Sequence, residues 1–324
     1  MLFWKELKNK IFNSFKLTPW PVLAVVLVVV GFFPSTYWRW FSANEQGSAP
    51  KIGQQDINWL EVRNLTDLSL ESATVLVVVV PSGEIVGAKK PTLRWPLASL
   101  TKLFSIGLLD RIGLAWQGEL NIDTRDKKES EKGLLTDTDV ASQLPVTKPE
   151  VFSGGDLVKA SLISSANNAV LSLVKNTSVG LVEFISQMNQ TAASQHFNSL
   201  NFFEPTGLNP KNSGQTIDVA RMALWAWQSP RVKNISGSVS DIVTAKSGQP
   251  YRLDNTNELF ALKKDFKILA SKTGHLSEAG YNLVMEVEAA TKKRYLIVLM
   301  GAPSKPARES DIFKIMAWLE DKGL

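Results

Sequence analysis

No cysteine occurs anywhere in the 324 residues. Disulfides, thiolate nucleophiles and Cys-based zinc or iron–sulfur sites are thereby excluded together. Histidine is almost as scarce: His196 and His275 are the only two, and neither has a partner at metal-ligand spacing. A histidine-dependent zinc hydrolase or a Ser-His-Asp triad would have to be built around one of them, and each reads more simply as a surface or packing residue. No metal and no other cofactor is expected. Charge of one sign is also lacking: of the formal +5, the first 45 residues hold +3, and the remainder carries 31 basic against 29 acidic residues. Such a body has no concentrated cationic surface with which to displace counterions, so no nucleic-acid partner is expected. With 44% hydrophobic and 21% charged residues, no internal repeat and no low-complexity block, the chain is neither disordered nor a multi-span membrane protein.

One run is long and apolar enough to cross a bilayer. Leu17 to Trp38 holds 22 consecutive uncharged residues, which as a helix span roughly 33 Å. Trp20, Tyr37, Trp38 and Trp40 flank it where interfacial aromatics belong. Lys5, Lys8, Lys10 and Lys16 precede it and only Arg39 follows closely, so residues 1–16 are expected as a cytoplasmic tail, 17–41 as a single transmembrane anchor, and the rest outside the cytoplasmic membrane. The competing reading is a cleaved signal peptide. It lacks a good small-x-small site: Phe41 stands two before Ala43, and Pro50 follows Ala49. Residues 42–56, rich in Ser, Gly, Gln and Ala, read as a flexible tether, leaving 57–324 as one folded domain.

Within that domain the short run Ala73–Val80 suits a strand buried on both faces, with Glu84–Ala88 as its hairpin partner. Helical periodicity follows over 100–111, 156–175, 181–195 and 216–227. Between Asp123 and Lys132, eight of ten residues are charged, as in a solvated excursion. Leu283, Met285 and Val287 alternate with Asn282, Glu286 and Glu288, and after the turn at 291–294 the run 295–300 completes an antiparallel hairpin. A helix over 310–319 ends the chain. Strands at both ends and helices between predict an α+β fold: an antiparallel sheet flanked by helices, with an inserted helical lobe and a cleft between them.

Three short motifs carry chemistry. Ser99-Leu-Thr-Lys102 puts a hydroxyl and an amine on one face of a helix, amid Trp95, Leu97, Leu103, Phe104 and Ile106. A poorly hydrated amine loses its proton more readily and can then take one from the serine. Ser165-Ala-Asn167 lies at the join of two helical stretches, and Lys272-Thr-Gly274 follows the apolar Ile268-Leu-Ala. Each is weak alone. Ser172-Leu-Val-Lys175 repeats the first pattern on what reads as a plain helix face, and Lys246-Ser-Gly248 resembles the third but shows no apolar strand before it.

In this order the three motifs are the set shared by penicillin-binding proteins and serine β-lactamases. From about Ala73 to Leu319 the chain resembles the D-alanyl-D-alanine carboxypeptidases and endopeptidases, the low-molecular-mass penicillin-binding proteins. The likeness extends to Phe203-Glu-Pro-Thr-Gly-Leu208, Asn255-Thr-Asn257 and the block Lys272–Leu283. It implies that Ser99 attacks the penultimate D-alanine carbonyl of a peptidoglycan stem peptide with Lys102 as base. Ser165 and Asn167 complete the proton relay and hold the peptide. Lys272, Thr273 and Gly274 line the carboxylate side, and the main chains of Ser99 and His275 receive the oxyanion. β-Lactams would be taken as inhibitors on the same serine.

The resemblance implies a serine-type D-alanyl-D-alanine carboxypeptidase, with the endopeptidase that cuts cross-links as alternative. Two departures bear on the choice. Thr256 stands where carboxypeptidases of the family often have an arginine, with Arg308 as the cation nominated in its place, and no β-rich second domain follows. A β-lactamase and a catalytically silent wall-binding scaffold are the remaining alternatives. The first lacks a clear deacylating glutamate, and the second has no need of Ser99, Lys102 and Lys272 together.

Overall fold

The structure, a computed structural model, describes residues 62–80, 82–122, 125, 142–262 and 264–324. The tail, the anchor over 17–41, the tether and all but residue 125 of the charged stretch lie outside the described residues. In chain order the elements are β1 (Arg63–Asn64), β2 (Thr74–Val80), β3 (Ile85–Lys89), β4 (Trp95–Pro96), α1 (Thr101–Arg111), β5 (Glu119–Ile122), β6 (Glu150–Ser153), α2 (Gly154–Leu162) and α3 (Asn167–Lys175). There follow α4 (Gly180–Ser194), β7 (Ser213–Gly214), α5 (Thr216–Ala226), α6 (Pro230–Ser236), β8 (Ser240–Thr244), β9 (Pro250–Asp254), β10 (Lys267–Leu276), β11 (Gly280–Glu288), β12 (Arg294–Ala302) and α7 (Lys305–Asp321).

The main sheet has the order β1-β3-β2-β12-β11-β10, so β2 and β12 from opposite ends of the domain are neighbours, with Thr74 opposite Met300 and Val80 opposite Arg294. All its pairings are antiparallel except that β1 runs parallel to β3 at the edge, a departure from the expected purely antiparallel sheet. The continuous apolar run of β2 has a period-two explanation. Val75 and Val77 face a core with Ile312, Ile315 and Leu319 of α7, whereas Leu76, Val78 and Val80 face the helical lobe with Leu103, Val170 and Trp225. In that lobe Phe104 stacks on Phe202 and Trp225, with ring centroids 4.7 and 4.9 Å apart.

Local details refine or change the sequence reading at four places. The join expected at Ser165–Asn167, within the helical pattern over 156–175, falls between α2 and α3, where Ser165 adopts φ 62°, a left-handed conformation that a right-handed helix cannot pass through. The last helix starts at Lys305, capped by the Ser304 side chain, because its first turns bury the polar Arg308 and Asp311 and so hide their inward face from a hydrophobic pattern. Asp311 accepts from Glu71 N, Ser72 N and Ser72 Oγ at 2.7–2.9 Å, tying α7 to the segment that enters β2. Asn282 and Glu286, polar members of the alternation over 282–288, are nevertheless fully buried, since α6 and the segment before α1 cover that face; Glu286 pairs with Lys233 at 2.7 Å. A strand, β8, does precede Lys246-Ser-Gly248. That turn serves the β8–β9 hairpin, where Lys246 meets Glu119 and Ser247 meets Glu150, away from the main sheet. Among the described residues no single helix is long and apolar enough to cross a membrane.

Candidate active site

Ser99 occupies a one-turn 3-10 helix, Ala98–Leu100, immediately before α1. Leu97, Leu100, Leu103, Phe104 and Ile106 are all buried around it, so the first turn of α1 is dry and Lys102 is fully enclosed. Lys102 Nζ lies 2.8 Å from Ser99 Oγ and donates to the Thr206 carbonyl at 2.6 Å. Burial lowers its pKa to about 7, with Glu204 pulling the other way. Ala98 sits at φ 48°, and behind it runs Gly207 at φ 91°, where an added Cβ would overlap the Ala98 carbonyl. The nucleophile turn is thus held from behind by a backbone only glycine can supply.

The facing wall is β10, the outermost strand of the sheet. Lys272 Nζ donates to Ser165 Oγ and to the Thr273 carbonyl, both at 2.9 Å. Burial, then the positive charges of Lys102 and Arg308, hold the Lys272 pKa well below its ordinary value. The two lysines thus feel each other across the cleft. Ser165 reaches β10 because of the α2–α3 break, and Asn167 opens α3 two residues later with its Oδ1 buried and free of any hydrogen bond. A buried acceptor left open in this way is available to an N–H donor from a bound peptide. Gly274 passes so close to the nucleophile turn that an added Cβ would lie 3.0 Å from both Ser99 N and Leu97 O. Thr273 Oγ1 stands 2.6 Å from Thr256 Oγ1, and the exposed ring of His275 stacks on Tyr281 at 4.1 Å between centroids. Ser99, Lys102, Ser165, Lys272 and Gly274 therefore converge, with Asn167 and Thr273 beside them. The imidazole of His275 stays on the outer surface. Of the decoy pair, Ser172 is buried within α3 while Lys175 is exposed at its end.

Two supporting residues, Glu204 and Asn282, lie in the blocks that carry the family likeness, but the sequence reading gave them no role. Glu204 accepts from Thr206 N, Thr206 Oγ1, Gly207 N and Asn212 Nδ2, which closes the loop behind Lys102. Besides that likeness, the local clue is an acceptor-only side chain beside a Pro-Thr-Gly turn. Asn282 donates to the Pro96 and Leu97 carbonyls at 2.9 and 3.2 Å and accepts from Gly301 N at 2.9 Å, pinning the chain before Ser99 to β11 and β12. Among the described residues no group of three or more His, Asp or Glu is placed to hold a metal ion.

Comparison with known proteins gives the family and the fold. The family model described as D-alanyl-D-alanine carboxypeptidase matches residues 61–304. A D-alanyl-D-alanine endopeptidase of Escherichia coli is 27% identical over 254 residues, covering 78% of each chain, and that of Pseudomonas aeruginosa is 29% identical over 253 residues with the same coverage. The D-alanyl-D-alanine carboxypeptidase DacA of Haemophilus influenzae is 26% identical over 84% of this chain and 66% of its own. Among solved structures, a variant of the Streptomyces K15 DD-transpeptidase superposes with a TM-score of 0.69 at 21% identity, over 77% of this chain and 97% of that one. Penicillin binding protein 5 from Haemophilus influenzae gives 0.65 at 25% identity, over 77% and 70%. The fold is that of the DD-peptidases, and the chain belongs to the D-alanyl-D-alanine carboxypeptidase family of serine peptidases.

Proposed function

We propose that this serine hydrolase cleaves D-alanyl-D-alanine-type bonds in peptidoglycan stem peptides through an acyl-enzyme on Ser99. The observation that carries the reading is an enclosed amine, Lys102, with its pKa lowered to about 7 and lying 2.8 Å from a serine hydroxyl that opens on the cleft. Neutral Lys102 takes the Ser99 proton as Oγ attacks the penultimate D-alanine carbonyl. The oxyanion is received by main-chain N–H groups at Ser99 and His275, in the narrow gap that Gly274 permits. The C–N bond breaks as the departing amine gains a proton through Lys102 and Ser165, and water, deprotonated in turn, releases the acyl group. Asn167 Oδ1 accepts from the peptide, and Lys272 and Thr273 face its carboxylate side.

Exo- or endo-cleavage is decided beside β10. Thr256 and Thr273 share a short hydroxyl contact with no cation between them. After Lys102, the positive charge felt by Lys272 is that of the buried Arg308, whose Nε and Nη2 lack hydrogen-bond partners and whose Nη2 lies 3.7 Å from Glu309. A neutral rim tolerates a continuing peptide, which favours the endopeptidase as second reading. The chain is further proposed to hold this domain on the outer side of the cytoplasmic membrane through residues 17–41, supported by their uncharged run and the lysines before it.

Two experiments test the proposal. A fluorescent penicillin labels the wild type and not Ser99→Ala, with slow release; equal labelling of both sinks the site, and rapid turnover makes the enzyme a β-lactamase. Purified muropeptide monomers and dimers, digested and weighed by mass spectrometry, separate loss of D-alanine from cutting of the cross-link.

A further inference from the structure

The loop from Phe203 to Asn212 touches the amine of Lys102 but lies outside all three motifs. Glu204 is its only carboxylate, and five donors converge on it: Thr206 N, Thr206 Oγ1, Gly207 N, Asn212 Nδ2 and, at 3.4 Å, Asn209 N. Asn212 is itself fixed, since it also donates to the Glu204 carbonyl and to Thr101 Oγ1 of α1 and accepts from Phe203 N. Two consequences follow from this closure. Gly207 is pressed against Ala98, which supports the nucleophile turn from behind. The Thr206 carbonyl is presented to Lys102 Nζ at 2.6 Å, while the same nitrogen lies 2.8 Å from Ser99 Oγ.

A neutral primary amine has two hydrogens and one lone pair. Left to rotate, it could aim a hydrogen at Ser99 Oγ as readily as the lone pair, and only the lone pair can take the serine proton. An acceptor fixed on another side of the nitrogen removes that ambiguity by engaging a hydrogen. We propose that Glu204 is a positioning residue for the general base: by knitting this loop it holds the Thr206 carbonyl where it engages one Nζ hydrogen of Lys102, and thereby turns the lone pair toward Ser99. The inference rests on Ser99 and Lys102 being the nucleophile and base.

The carboxylate also has an electrostatic part. The titratable groups set about Lys102 are Glu204 on this loop, which favours the protonated amine, and Lys272 on β10, a like charge across the cleft. Gln in place of Glu204 removes the favouring charge, and it brings an amide NH2 to a site where every neighbour is a donor. Asp keeps the charge but, one methylene shorter, cannot meet all of these donors.

The test is the rate of penicillin acylation per titrated active site, measured from pH 5 to 9, which is insensitive to misfolded protein. In the wild type the rate climbs through a pH near 7 and levels off. Glu204→Gln is expected to move that limb about one pH unit to the acid side and to lower the plateau about tenfold or more. Glu204→Asp is expected to lower the plateau while leaving the limb in place. A limb and plateau unchanged in Glu204→Gln, or a wild-type plateau in Glu204→Asp, overturns the proposal; if Glu204→Gln yields no acylatable protein, Glu204→Asp decides alone. A loop that only stabilises the fold would reduce the yield of active sites and leave both parameters untouched. Labelling that survives Ser99→Ala would refute the underlying site instead, so the two failures are distinguishable.

Discussion

Replacing Gly274 by Ala inserts one methyl group between the nucleophile turn and β10, and the structure says what it meets. The new Cβ would lie 3.0 Å from Ser99 N, 3.0 Å from Leu97 O and 3.2 Å from the Ala98 Cβ. Two of those neighbours are backbone atoms, and the turn that carries them is braced from behind by Gly207 and from the side by Asn282, so they cannot swing away as a side-chain tip would. Relief requires β10 to withdraw by a few tenths of an ångström, or the turn to shift by as much. Either movement widens the gap in which the oxyanion is bound. Overpacking of this kind costs about 1–3 kcal/mol of stability. The kinetic cost is larger in proportion, because losing the alignment of one oxyanion donor lowers the rate about 10²–10³-fold. Stopped-flow acylation by a fluorescent penicillin, with the melting temperature measured on the same preparation, reports both quantities. An Ala variant that melts within a degree or two of the wild type and acylates within about threefold would refute the packing, and with it the placement of the oxyanion site between Ser99 and β10.

Four further outcomes follow from contacts in the structure. Acylation should fall about tenfold for each unit that pH drops below 7, because protonated Lys102 cannot accept the Ser99 proton; a pH-independent rate between 5 and 7 would exclude it as base. The same depressed pKa makes the unfolded chain bind more protons than the folded one between about 7 and the ordinary lysine value, so stability should rise with pH in that window, and Lys102→Met should flatten the rise in a thermal-melt series. Asn282→Leu strands the Pro96 and Leu97 carbonyls and Gly301 N, at a cost of about 2–4 kcal/mol by denaturant titration, and should slow acylation as the turn loosens. Asp311→Ala should cost about 3 kcal/mol by the same assay, yet leave the acylation rate per active site unchanged, since its three bonds lie at the far side of the sheet.

Read alone, the sequence determined what depends on local order. The strand was legible because burial on both faces leaves Val75–Val80 without a polar residue, and the serine–lysine pair because three residues along a helix is a fixed distance. The order of the three motifs fixed the family and hence the fold. Tertiary structure alone decided what depends on residues far apart in the chain. Ser165 meets Lys272 across 107 positions, through a left-handed break whose direction a join between two helical stretches does not specify. The polar Asn282, Glu286, Arg308 and Asp311 are buried because distant partners satisfy them or distant elements cover them, whereas a pattern of alternating polarity assigns such residues to solvent. The proton affinity of Lys102 belongs to this second class: the sequence places an amine near a hydroxyl, but only the assembled cleft, with its desolvation and the carboxylate of Glu204, sets whether that amine is neutral when the serine needs a base.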